Sequence, residues 1–144
     1  MNKHVLFIDD GDITEIVNRL RNVLRKQGIT LVEALLNLNN PKYRKENPTV
    51  KGETVLDFDL IKKELEESFM KTRFDYVMCD FNFNDKDLNG FRLTKWLKNV
   101  SKSERKFKIR SARFSLYSSE KDKSIKDFFT EEEKGQFIED NEEN

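Results

Sequence analysis

Four consecutive apolar residues, Tyr76-Val77-Met78-Cys79, stop at Asp80. A strand with one wet face alternates in polarity, so an unbroken run of this kind reads as a strand buried on both faces. Such strands belong to parallel sheets covered by helices. A polar, turn-rich loop follows, and Gly90 closes it before a helical pattern begins. A carboxylate at the carboxyl end of a buried parallel strand stands on the sheet edge where open α/β folds bind ligands.

The rest of the chain alternates strand with helix. His4 to Ile8 is a second continuous apolar run, and it ends in Asp9-Asp10-Gly11-Asp12. Asp12 reads as the N-cap of a helix, with Glu15 three residues on as in a capping box. Ile13, Ile16, Val17, Leu20, Val23 and Leu24 recur at helical spacing, and Gly28 stops them. Ile29 to Leu38 begins like a strand, while its second half also fits a helix. Asn39 to Val55 holds both prolines, Gly52 and several charges, and reads as a long exposed loop. Asp57 opens another helix with Leu60, Ile61, Leu65 and Phe69 inward. A third helix carries Phe91, Leu93, Thr94, Trp96, Leu97 and Val100. Phe107 to Tyr117 tends toward a fourth strand ending at Ser118-Ser119. A charged fourth helix over Lys121 to Lys134 and a short fifth strand at Gln136-Phe137-Ile138 complete the pattern, before an acidic tail at about 139–144. The order implies one α/β domain over residues 1–144, with five parallel strands and helices on both faces.

Composition narrows the function. Acidic and basic residues balance at 27 each. A general nucleic-acid binder shows a basic excess, so direct nucleic-acid binding is not expected. One Cys and one His exclude a disulfide framework and a Cys/His zinc site. No apolar run approaches the roughly 20 residues of a membrane span. The expectation is a soluble, cytoplasmic protein with no membrane partner.

In a parallel sheet every strand delivers its carboxyl end to one edge. Three strands here end in groups with chemistry: Asp9-Asp10, Asp80 and Ser118-Ser119. Carboxylates packed together repel unless a cation sits among them. An oxygen-only ligand set suits Mg²⁺, which keeps several waters and sits beside phosphoryl groups. A carboxylate in such a site can attack phosphorus, and a neighbouring hydroxyl can donate to a phosphoryl oxygen. Asp85 and Asp87 read as solvated loop residues, Cys79 as an inert core thiol, and His4 as a strand-edge residue. Trp96 and the phenylalanines read as core or interface.

These residues resemble the receiver domains of two-component response regulators, with their flavodoxin-like fold. Val5-Leu6-Phe7-Ile8-Asp9-Asp10 looks like the family's first strand with its acidic pair. Asp80 falls where the phosphorylated Asp belongs, and the loop to Gly90 is similar but about two residues longer. Ser118 matches the Ser/Thr that ends the fourth strand. The resemblance implies that Asp10 and Asp80 bind Mg²⁺ directly, Asp9 through water, and Asn82 through its backbone carbonyl. Asp80 would be the phosphoacceptor and Ser118 the switch hydroxyl, with Phe137 the candidate switching aromatic. A histidine kinase or phosphotransfer protein would donate the phosphoryl group. A downstream protein partner or a second copy in a homodimer would read the change.

The chain departs from the family in two places. The family carries a Lys after its fifth strand, where this sequence reads Glu139-Asp140-Asn141-Glu142. Acid beside an acidic pocket weakens phosphoryl binding. The sequence also ends where the family's fifth helix would begin, which reads as a shortened receiver, a gap covered by a partner, or an excised domain. Both departures suit an alternative, a degenerate receiver that acts as a phosphorylation-independent interaction or dimerisation module. Asp10-Gly11-Asp12-Ile13-Thr14 also fits the Asp-x-Asp-x-Thr pattern of haloacid-dehalogenase-like phosphohydrolases. In that alternative Asp10 would be the nucleophile, Asp12 the acid/base and Ser118 the second-motif hydroxyl.

Overall fold

The computed structural model describes residues 1–117. Its elements are β1 (Asn2–Asp9), α1 (Thr14–Arg25), β2 (Thr30–Asn37), a 3-10 turn (Pro41–Tyr43), β3 (Arg44–Glu46), β4 (Thr54–Leu56) and α2 (Phe58–Ser68). Then follow β5 (Tyr76–Asp80), α3 (Gly90–Ser103), a second 3-10 turn (Lys108–Ser111) and β6 (Arg113–Tyr117). The expected fourth helix, fifth strand and acidic tail lie outside the described residues.

Four strands form one parallel sheet in the order β2-β1-β5-β6. The two central strands are the two apolar runs, and their alternate residues feed two cores. Val5, Phe7, Tyr76 and Met78 pack on one face under Ile16, Val17, Leu20 and Leu24 of α1. Leu6, Ile8, Val77 and Cys79 pack on the other under Ile61 and Leu65 of α2 and Leu93 and Leu97 of α3. Helices therefore cover both faces, which is why neither central strand shows a polar alternation. No helix among the described residues is long and apolar enough to cross a membrane.

The strand order positions the site. The chain runs from β1 outward to β2, then returns past β1 to β5 and on to β6. The order thus reverses between β1 and β5, and the crevice at their carboxyl ends is the topological switch point of the sheet. Ile8 pairs with Cys79 in register, so Asp9 and Asp80 are brought side by side just beyond it. The arrangement is consistent with a flavodoxin-like fold.

The structure corrects several local expectations. Residues 30–37 are strand throughout, the sheet's edge strand, with no helical half; its outer positions Val32 and Leu35 are exposed. The 39–55 segment is not a bare loop. It holds the antiparallel β3–β4 pair, and Tyr43 and Val55, with the adjoining Leu56, are buried. Leu60 is 38% exposed, because the inward stripe of α2 follows Ile61 and Leu65 and Leu60 sits one step, about 100°, off it. Asp12 is not the N-cap of α1. Ile13 occupies that position without a side-chain bond, while Asp12 Oδ1 accepts from Thr14 N and Oγ1 in a turn just before the helix. Those two bonds hold the Asp12 carboxyl below its usual range. The first half of the 107–117 segment is a 3-10 turn rather than strand.

Candidate metal centre

Asp9 ends β1, Asp10 follows it, and Asp80 ends β5. Each offers a carboxylate oxygen, and these oxygens lie within 4.8 Å of one another. One ion can span that separation, since oxygen ligands of hard cations sit 2.0–2.6 Å from the metal, roughly half the distance. Asp9 and Asp80 are 2% and 1% exposed, and Asp10 is half-buried.

The hydrogen bonds around the cluster are unequal. Asp9 is satisfied: Oδ1 accepts from Gly11 N at 2.8 Å, and Oδ2 accepts from the Tyr117 hydroxyl. Asp10 Oδ2 accepts from Asn84 Nδ2 at 3.2 Å. Asp80 Oδ1 accepts a long bond, 3.3 Å, from Asn82 N. Asp80 Oδ2 is buried and accepts from no donor among the described residues. A buried carboxylate oxygen without a donor is costly to keep charged, which fits the raised pKa of Asp80. Three carboxylates this close could hold a cation.

Electrostatics carry the same message. Burial, then the charge of Asp9, raises the Asp80 pKa from 3.8 to about 7, against the weak help of Asn82 N–H. Burial also raises Asp9, partly offset by Tyr117 and Gly11. Burial pushes the Cys79 thiol well up, so it is an inert core group as expected. At neutral pH the pocket therefore holds negative charge at a cost, which a divalent cation would offset.

The structure brings together Asp9, Asp10 and Asp80 of the expected residues. Asn82 stands beside them, exposed, with its side-chain Oδ1 accepting from Asn84 N at 2.8 Å. Ser118 lies outside the described residues. Asp12 is outside the cluster. His4 is exposed on β1, and Trp96 is half-buried edge-on to Phe58, as expected. Three contributors were missed. Asn84 has φ +53°, a left-handed conformation that Asn tolerates, and that bend aims its amide at Asp10. Its place in a turn-rich Asn/Asp loop was the available signal. Tyr117 gave no signal beyond being the last residue before Ser118. Asp85, expected to be solvated, is half-buried and accepts three backbone N–H bonds.

Tyr117→Phe tests the Asp9 contact. It leaves Asp9 Oδ2 without its donor, so metal-free stability at about pH 7.5 should fall by about 1–3 kcal/mol. The loss should shrink in acid, as the Asp9 carboxyl, whose pKa is raised by burial, takes up a proton. Urea denaturation under the two conditions reads both effects, and equal losses in the two would refute the assignment.

A cavity of about 370 Å³ opens at the opposite sheet edge, with Lys3, Arg73 and Arg113 around Asp75. It shares no residue with the carboxylate cluster. No family model matches the chain, and no curated protein matches it.

Proposed function

We propose that the chain is a receiver-like signalling module in which Asp80 accepts a phosphoryl group. The supporting observation is Asp80, whose buried Oδ2 has no donor among the described residues and whose carboxylate lies within 4.8 Å of those of Asp9 and Asp10 at the switch point of a parallel sheet. Asp9, Asp10 and Asp80 would hold Mg²⁺, together with the Asn82 carbonyl by resemblance to the family. A bound Mg²⁺ offsets the charge of the carboxylates and of the phosphoryl oxygens.

Asp80 acts as the nucleophile. One of its carboxylate oxygens attacks the phosphorus of a phosphohistidine on a histidine kinase or phosphotransfer protein. An O–P bond forms, the N–P bond breaks, and its electron pair returns to the ring nitrogen of an imidazole protonated at the other nitrogen. Asn84 and Tyr117 donate to Asp10 and Asp9, while Asp80 keeps one oxygen, Oδ2, without a donor among the described residues. Ser118 is the hydroxyl assigned to the phosphoryl group. A downstream protein or a second copy of the chain reads the new charge.

Incubation with Mg²⁺ and acetyl phosphate should add the mass of one phosphoryl group. Asp80→Asn or a chelator should abolish the gain. A wild-type chain that binds Mg²⁺ but stays unmodified with this donor and with a phosphohistidine donor would overturn the reading.

A second reading is a phosphorylation-independent interaction module. Tyr117 favours it, because its hydroxyl occupies an oxygen of Asp9 at the site itself. The acidic residues where the family has Lys point the same way. Mg²⁺ binding without phosphoryl gain is its signature. The phosphohydrolase reading needs Asp12 as an acid/base in the site. Asp12 is exposed and bonded to Thr14, so the geometry gives that reading no support.

A further inference from the structure

Residues 81–89, between β5 and α3, carry Asn82 and Asn84 without helix or strand to hold them. Phe83 and Leu88 are buried and plug the loop into the core under α2 and α3. Plugs fix depth but not the rotation that sets Asn84 on Asp10. Rotation needs directional bonds, and Asp85, the next residue, supplies them. Its Oδ2 accepts from Asp87 N at 3.1 Å and Leu88 N at 3.0 Å, which closes the loop on itself. Its Oδ1 accepts from Leu56 N at 2.9 Å, at the end of β4. Hydrogen bonds to a carboxylate are the stronger kind, and this one crosses 29 residues of chain.

The other end of that bond is firmly set. Leu56 pairs with Arg44 in the β3–β4 hairpin. Tyr43, Val55 and Leu56 are buried, and Asp57 N donates to Tyr43 O at 2.7 Å. A second tie, Lys86 Nζ to Glu53 Oε2 at 3.5 Å, is exposed at both ends and adds little.

We infer that Asp85 is a positioning residue of the carboxylate pocket, through which the β3–β4 hairpin fixes the loop that sets Asn84 on Asp10. The inference rests on the reading of that pocket as a cation site. The hairpin thereby becomes a lever: whatever binds it also acts on the pocket.

The test compares Asp85→Ala with Asp87→Ala. Asp87 is exposed in the same loop, and the change removes the same charge. Two quantities are read on folded protein: amide hydrogen exchange at residues 82–84 without metal, and Mg²⁺ affinity by calorimetry. Asp85→Ala should lower protection at 82–84 and weaken Mg²⁺ binding about tenfold or more, as loss of an outer partner does. Asp87→Ala should leave protection unchanged and affinity within about twofold. Equal loss of affinity in both variants would mean charge and not position, and would overturn the inference. So would a lower melting temperature in Asp85→Ala with wild-type protection and affinity. If wild-type protein binds no Mg²⁺, the cation reading fails, and the exchange at 82–84 alone decides the role of Asp85. If Asp85→Ala does not fold, Asp85→Asn, which keeps one acceptor oxygen, carries the same comparison with a smaller loss.

Discussion

Metal-free protein should lose stability as pH rises from about 4 through about 7, and Asp80→Asn should remove most of that loss. Asp80 has its carboxyl raised from 3.8 to about 7 in the fold. Between those values the folded chain binds a proton that the unfolded chain has released. Stability from this group is therefore fully present below the unfolded pKa and is lost as pH rises through the folded one. At about 1.4 kcal/mol per pH unit, the whole effect is at most about 4 kcal/mol above pH 7. Asp9 is raised as well and adds in the same direction. Asn at position 80 carries no charge to bury, so the variant should be the more stable protein above pH 7 and lose its response to Mg²⁺. Mg²⁺ should act in reverse on the wild type. It competes with protons for the carboxylates, so its stabilisation should grow with pH. At a concentration of about 100 times its dissociation constant it should restore nearly 3 kcal/mol. Denaturant midpoints across the range, with chelator and with Mg²⁺, read all of this. A flat profile in chelator, or an unchanged slope in Asp80→Asn, would remove the electrostatic case for the site.

The parts of this site that could be read in the sequence are those set by long-period physics. Val5 to Ile8 and Tyr76 to Cys79 are short unbroken apolar runs bounded by turn residues, which suits strands covered on both faces. In a parallel sheet their carboxyl ends share an edge, and Asp9, Asp10 and Asp80 lie together there. The parts that could not be read depend on short elements and single bonds. β3 and β4 have three residues each, too few to show a period, and their Pro, Gly and charged neighbours spell a loop. Tyr43, Val55 and Leu56 are too scattered to announce a small core. Leu60 and Ile61 are adjacent apolar residues, and no pattern of one helix alone decides which faces inward. Asp85 and Asp87 look alike as letters; the backbone N–H groups of Asp87, Leu88 and, 29 residues earlier, Leu56 separate a latch from a solvated side chain. Asn84 and Tyr117 reach the site carboxylates through single side-chain bonds to Asp10 and Asp9, which leave no trace in composition or spacing.

Gly90→Ala should be among the most damaging single substitutions in the chain, for a reason that is spatial and not conformational. Gly28 and Gly52 have positive φ, and a Cβ at either meets nothing within 4 Å. At Gly90 a Cβ would stand 2.0 Å from the Asp80 carbonyl oxygen, 2.9 Å from its carbon and 3.0 Å from Phe81 Cα. All three are backbone atoms, so no side chain can turn aside to make room. Gly90 N also donates to Phe81 O at 2.8 Å, and Asn89 caps the helix onto Arg92 N, so the first turn of α3 is pinned against the end of β5. Making room means lifting α3, with Leu93 and Leu97, off the core, or pushing Asp80 out of line with Asp9. Overpacking in a core typically costs 1–3 kcal/mol, and a backbone collision without an escape should cost at least about 3. Gly28→Ala, which meets only the left-handed backbone penalty of roughly 1–2 kcal/mol, is the matched control. The damage at Gly90 should also be directional. Where the variant remains folded at low temperature, Mg²⁺ affinity should drop with stability, because the displaced atom belongs to the residue with the unpartnered oxygen. In Gly28→Ala, stability should drop alone. Equal stability losses in the two variants, or a Gly90→Ala protein with wild-type Mg²⁺ affinity, would mean that helix and strand are not pressed together at the site.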